Sequence, residues 1–153
     1  MEIHVAGRIA DADRGPAREA CSIERAFSLV GTRSAVLLLR EAAYGTRRFD
    51  DFVRRTGLTE AVVAGRLREL VSAGVLATEP YQDEGKRTRQ AYVLTDSGRE
   101  LLPVLVALGA WGQVHLPRRG ASLTHQGCGA LVLSDLTCEK GHDVSDGDIV
   151  ASA

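Results

Sequence analysis

Between Phe49 and Ala73 two short apolar patterns of helical spacing meet at Gly57-Leu58, and this junction restricts the possible folds more than any other stretch. Phe49, Phe52 and Val53 give the first pattern an inward face, and Arg54 and Arg55 end it with the positive charge a helix C-terminus favours. Thr59 stands where the second helix needs an N-cap. Val63, Leu67, Leu70 and Val71 then recur at i, i+4, i+7 and i+8, so one side is buried and the other is free. Helices joined by so tight a turn form a helix-turn-helix, whose free second helix is an element that the major groove of DNA admits.

The residues beyond Ala73 extend the pattern. Gly74 closes the second helix at a C′ position. Val75 to Tyr81 and Gln90 to Leu94 alternate enough to pair as strands, joined by the polar, Gly-containing tip Gln82 to Thr88. A hairpin directly after a recognition helix is a wing. Thr95-Asp96-Ser97 caps a further helix, in which Leu101, Leu102, Leu105, Leu108 and Trp111 exceed what a wing-sized core covers. Surplus apolar surface on a terminal helix is where a partner subunit docks. Upstream, Cys21 to Val30 reads as a helix with Ile23, Ala26, Phe27 and Val30 on one side. Ser34 to Tyr44 reads as a nearly all-apolar core helix and Thr46 to Phe49 as a brief edge strand.

The fold expected is therefore mainly α with a small β-hairpin wing, an α+β winged helix-turn-helix carrying a short C-terminal β-rich appendage. Residues 1–17, with Asp11, Asp13, Gly15 and Pro16, hold no sustained period and read as a loose arm. Residues 18–116 form the DNA-binding and dimerisation domain, and residues 117–153 the appendage.

Charge supports this division locally rather than globally. With a net charge of −1 and a pI near 6.4 the chain as a whole is not basic. Residues 18–99, however, hold fourteen Lys and Arg against eleven Asp and Glu, whereas residues 117–153 hold three against five. Positive charge collects where the motif is. Three cysteines and the absence of a charged-then-apolar leader across Met1 to Ala20 point to a reducing cytoplasm and away from a disulfide scaffold. No apolar run approaches the roughly 20 residues a membrane span requires. Nucleophile, base and orienting residue are not grouped anywhere, and Gly-rich phosphate loops are missing, so the sequence does not read as an enzyme.

Stepping about 100° per residue from Val63 places Ala61, Gly65, Arg68 and Ser72 on the free side of the recognition helix, with Glu60 and Ala64 on the flanks. Arg68 can meet guanine bidentately, or a phosphate. Thr59 and the helix N-terminus suit a phosphate, while Arg66 falls near the buried edge, where its stem packs and its charge pairs internally. Lys86, Arg87 and Arg89 on the wing reach the adjacent minor groove or backbone, or else solvate a hairpin tip. Arg33, Arg47 and Arg48 either hold phosphates or pair with Asp50 and Asp51. Few groups here read bases, so DNA shape carries much of any specificity.

Two further groups of residues carry chemistry. Cys21 sits at a helix N-terminus near Arg18 and Arg25, where a thiolate is favoured; it reads equally as a small buried residue. His125, Cys128, Cys138 and His142 have the types and spacings of a tetrahedral zinc site, and read otherwise as ordinary residues of a small flap.

The run Cys21-Ser22-Ile23-Glu24-Arg25-Ala26 is succeeded along the chain by Leu37-Leu38-Leu39-Arg40-Glu41, Arg47-Arg48-Phe49, Arg66-Leu67-Arg68-Glu69-Leu70, Gly74-Val75-Leu76 and Leu94-Thr95-Asp96-Ser97-Gly98. Together these blocks resemble the HxlR family of winged-helix transcriptional regulators over about residues 20–115. The resemblance implies a homodimer built from the first and last helices, with Ile23, Phe27, Leu101, Leu102, Leu105, Leu108 and Trp111 at its interface. It implies binding of a near-palindromic operator in double-stranded DNA, as repressor or activator. Cys21 matches the cysteine that senses electrophiles or oxidants in several members; a small-molecule effector near Phe27 and Trp111 is the other route to control. Ser34 departs from the family, which places a Trp there. The tail of many relatives resembles His-x2-Cys followed by Cys-x2-Cys-Gly, and here Gly141 takes the second Cys position, leaving His142 as substitute or the zinc-ribbon-like flap degenerate. The alternative to a DNA-binding regulator is a winged-helix protein-interaction module, in which the Arg residues are only solvated.

Overall fold

The structure is a computed structural model that describes residues 3–7, 21–85, 87–117, 120–145 and 148–151. Among these residues the elements run β1 (His4–Val5), α1 (Ser22–Val30), α2 (Arg33–Ala43), α3 (Phe49–Thr56), α4 (Glu60–Ser72), β2 (Leu76–Tyr81), β3 (Arg89–Leu94), α5 (Asp96–Arg99), α6 (Leu102–His115) and β4 (Val150–Ala151). The α+β winged helix-turn-helix expected from the sequence is the fold observed.

Its core is small and continuous. Leu38 and Leu39 of α2, Phe52 of α3, Val63, Leu67 and Leu70 of α4, and Val75 and Leu76 at the start of the wing pack together out of water. These are the inward positions of the helical periods, so apolar patterning alone selects the faces that meet. α2 starts at Thr32, whose hydroxyl oxygen accepts from the Ala35 amide at 3.2 Å. Glu41 lies buried at 5% exposure because its carboxylate has partners: Arg40 at 2.7 Å, Arg55 at 3.9 Å and the Thr46 hydroxyl at 3.4 Å. That set ties α2 to α3.

The turn between α3 and α4 rests on Gly57. Its φ of 66° is left-handed, a conformation glycine adopts without a Cβ clash, and its amide donates to the Val53 carbonyl at 3.0 Å. Thr56 seals the turn by donating to the Phe52 carbonyl at 2.6 Å. The wing pairs β2 and β3 antiparallel, from Leu76 opposite Leu94 to Tyr81 opposite Arg89. Phe52 meets Tyr92 edge to face, ring centroids 6.1 Å apart, and so anchors the sheet on α3.

Three expectations from the sequence change. Thr46 to Phe49 forms no strand; a single bond from the Tyr92 amide to the Arg47 carbonyl at 2.8 Å is its whole pairing with β3, and Phe49 already belongs to α3. The helix expected from Thr95 onward is two helices, because Pro103, which lacks an amide hydrogen, falls in the first turn of α6 and starts a new helix. Within the arm expected to be loose, His4 and Val5 pair in parallel with Val150 and Ala151; residues 8–17 lie outside the described residues.

α1 and α6 contribute little to the core. None of their residues is fully buried. Leu101 and Leu105 pack against the core from its edge, while Ile23 and Phe27 are 68% and 64% exposed, and Leu108 and Trp111 55% and 57%.

Candidate nucleic-acid interface

α4 is presented by its cap and its burial together. The Thr59 hydroxyl oxygen accepts from the Val62 amide at 3.4 Å, fixing where the helix begins, and Val63, Leu67 and Leu70 clamp one face into the core. Outside lie the exposed residues Thr59, Glu60, Ala61, Val62, Arg68, Glu69 and Ser72, with Ala64, Gly65, Arg66 and Val71 half-exposed. Most of these side chains are short. A Cβ placed on Gly65 would meet nothing within 4 Å, so the helix surface there is open to close approach. Val62, 41% exposed, is the residue sequence reasoning missed. At about 100° from Val63 it lies on a flank of the helix, and an apolar residue there gives no signal in the sequence that sets it apart from a core position.

The arginines divide into two groups. Arg66 is half-buried and pairs with Glu69 one turn on. Arg47 pairs with Glu79 of β2, and Arg89 with Asp50 at 3.3 Å. Arg48 pairs with Asp83 at 2.6 Å while its guanidinium lies 4.7 Å from the Tyr81 ring centroid. The hydrogen bond and charge of Asp83 hold the Arg48 pKa above its ordinary value. Thus Arg47 and Arg48 pair across to the wing, not with Asp50 and Asp51, because the hairpin folds back over the start of α3; Asp51 is taken by Arg54 at 2.6 Å. By contrast no carboxylate among the described residues pairs with Arg33, Arg68 or Arg87. Arg68 contacts its own helix, Nε donating to the Ala64 carbonyl at 3.2 Å. Lys86 lies outside the described residues.

The other candidate residues fall elsewhere. Cys21 is the N-cap residue of α1, exposed, and its side chain makes no capping bond, which removes the reading of a buried packing residue. His125 and Cys128 close one turn, Nδ1 to Sγ 3.3 Å. Cys138 and His142 close another, where the Cys138 amide donates to the His142 carbonyl at 3.0 Å. Backbone N–H groups of His142 and Lys140 aimed at the Cys138 sulfur lower its pKa. Among the described residues, no three His, Cys, Asp or Glu come close enough to hold a metal. The four residues that spacing suggested as zinc ligands lie in two local turns, His125 with Cys128 and Cys138 with His142.

A capped helix with one exposed face, preceded by a tight turn and followed by an antiparallel wing, defines a winged helix-turn-helix protein. Known proteins agree: the pattern of the HxlR-like helix-turn-helix family matches residues 29–120. The chain belongs to that family of DNA-binding transcriptional regulators. It is 38% identical over 120 residues, 76% of this chain and 75% of the other, to helix-turn-helix regulators of Mycobacterium bovis and Mycobacterium tuberculosis. Among solved structures, the transcription factor PA1607 covers 88% of this chain and 96% of its own at 30% identity, with a TM-score of 0.77. The reduced redox regulator HypR covers 95% of its own chain but 63% of this one, at 26% identity and a TM-score of 0.56. The present chain thus carries a sizeable portion without counterpart in HypR. Among the described residues no helix is long and apolar enough to cross a membrane.

Proposed function

We propose that this protein is a homodimeric regulator that lays α4 of each subunit into successive major grooves of a near-palindromic operator, with the wing on the flanking backbone. The observation that carries this reading is the exposed row Ala61, Val62, Arg68 and Ser72, with half-exposed Gly65 among them, on a helix otherwise anchored in the core. Short side chains admit the helix to the groove floor, Val62 can touch a thymine methyl, and Arg68, unpaired by any described carboxylate, is available to guanine. Thr59, Glu60 and Ala64 border that contact. Arg33 and Arg87 reach phosphates directly, whereas Arg47, Arg48 and Arg89 exchange exposed carboxylate partners, each worth little in water, for phosphate.

Dimerisation is supported by apolar surface the protomer leaves uncovered: Ile23 and Phe27 on α1, Leu108 and Trp111 on α6. Leu101 and Leu105, half-buried, also pack against the protomer's own core. With one recognition helix per subunit, a two-fold dimer reads an operator whose halves mirror each other about one helical turn apart. In a regulator the exposed thiol at Cys21 adds an oxidant-sensitive point at the same α1 surface.

Gel shift of the purified protein with the DNA upstream of its own gene and with random DNA, across salt concentrations, tests the reading. Specific retardation that weakens steeply with salt is expected, and the absence of salt-dependent binding to either DNA would sink it. Diamide treatment should shift operator affinity in the wild type and leave Cys21→Ser unmoved; an unresponsive wild type removes Cys21 as a sensor.

A further inference from the structure

α6 is apolar on almost every side, and such a helix needs cover all round. Leu101 and Leu105 meet the core, the side carrying Trp111 faces out, and Leu108, 55% exposed, borders both that side and the cavity on the next. A third side, carrying Leu102, Val106, Gly109 and Gln113, looks across a cavity of about 570 Å3. Residues of α2 line the opposite wall, and Leu131, Val132 and Leu133 of the appendage lie over it. The appendage is tied down at this point: the Gln113 side-chain amide donates to the Gly120 carbonyl at 2.9 Å and reaches the Ser122 hydroxyl at 3.4 Å.

Gly109 sits inside α6, where glycine costs roughly 1 kcal/mol relative to alanine, yet a Cβ at this position would meet nothing within 4 Å. No contact among the described residues demands glycine, and its missing side chain leaves space free on the cavity wall. The lining contains no carboxylate, and its one guanidinium, Arg40, is already bonded to Glu41 at 2.7 Å. Tyr44 and Gln113 supply uncharged polar groups at the rim. The volume falls within the roughly 300–1,000 Å3 of small-molecule sites, which are mostly apolar with few polar groups.

We propose that the cavity between α2, α6 and the appendage binds an uncharged, lipophilic small molecule about the size of a substituted naphthalene, seated over Gly109. This goes beyond the regulator reading, and its test uses no DNA, so either can fail alone.

The full chain is titrated with the uncharged fluorophore N-phenyl-1-naphthylamine and, separately, with the anionic 1-anilinonaphthalene-8-sulfonate. Saturable binding of the neutral probe, at one per chain and about tenfold tighter than the anion, is expected. Gly109→Leu fills the space with a better helix former and should weaken neutral-probe binding about tenfold or more. Leu133→Ser, on an exposed and therefore tolerant position, should weaken it severalfold and serves if the first variant does not fold. Non-saturable binding overturns the proposal, as does equal affinity in both variants. Loss of binding in Trp111→Ser with full affinity in Gly109→Leu would put the probe on the outer face of α6 and overturn it equally.

Discussion

The guanidinium of Arg68 lies back along α4, its Nε donating to the carbonyl oxygen of Ala64 at 3.2 Å. The bond is exposed and carries no ion pair, so little holds the side chain there. Its terminal nitrogens remain available in the fork geometry that matches the O6 and N7 acceptors of guanine.

Arg68→Ala is therefore expected to lower operator affinity by about 1–3 kcal/mol and to relax preference at one base pair. Competition gel shifts with single-base operator variants check this. An equal loss on operator and random DNA would reduce Arg68 to a phosphate contact.

Arg87 on the wing and Arg48, the N-cap residue of α3, should behave differently. Arg87→Ala should weaken all sequences alike and flatten the salt slope by about one unit. Asp83→Asn frees the Arg48 guanidinium from its neutralising partner and should tighten binding to random DNA. Salt titrations of both variants by fluorescence anisotropy measure the two effects, and weaker binding by Asp83→Asn would count against a phosphate role for Arg48.

Two glycines predict opposite stability changes. At Gly98 a Cβ would overlap the Val75 carbonyl oxygen, so Gly98→Ala should destabilise by about 1–3 kcal/mol through overpacking. At Gly65 the space is open, and Gly65→Ala should stabilise α4 by up to about 1 kcal/mol while obstructing close approach to DNA. Urea denaturation with anisotropy on the same samples checks both. A Gly65→Ala protein with undiminished operator affinity would show that α4 does not seat closely there.

Trp111 is the single tryptophan of the chain and is 57% exposed in the protomer. Its emission should lie to the blue at high concentration and move to the red on dilution as the dimer separates, and Phe27→Ser should shift that transition to higher concentration. Sedimentation velocity on the same dilution series gives the mass independently. An emission maximum unchanged by dilution, with a monomer mass, would remove α6 from any interface.

Much of this protein was legible without coordinates. The α4 period from Val63 to Leu70, the cap at Thr59 and the left-handed glycine at position 57 depend on local sterics and on which residues avoid water, and both are written in residue order. The helix-turn-helix, the wing and the exposed placement of Arg68 follow from them. Long-range pairing was not legible in the same way. That Arg47 meets Glu79 and Arg48 meets Asp83 depends on how the hairpin folds over α3, and residues so far apart in sequence leave no periodic trace. Pro103 is a local signal that outweighs the apolar period around it, since one missing amide hydrogen sufficed to part α5 from α6. The sequence alone determined which faces would be apolar. Only the tertiary structure decided which of them the protomer covers itself, because burial depends on the neighbours that chain closure supplies: Leu101 and Leu105 gained the core, Trp111 was left to solvent, and Leu108 and Gly109 were left on the wall of an open cavity.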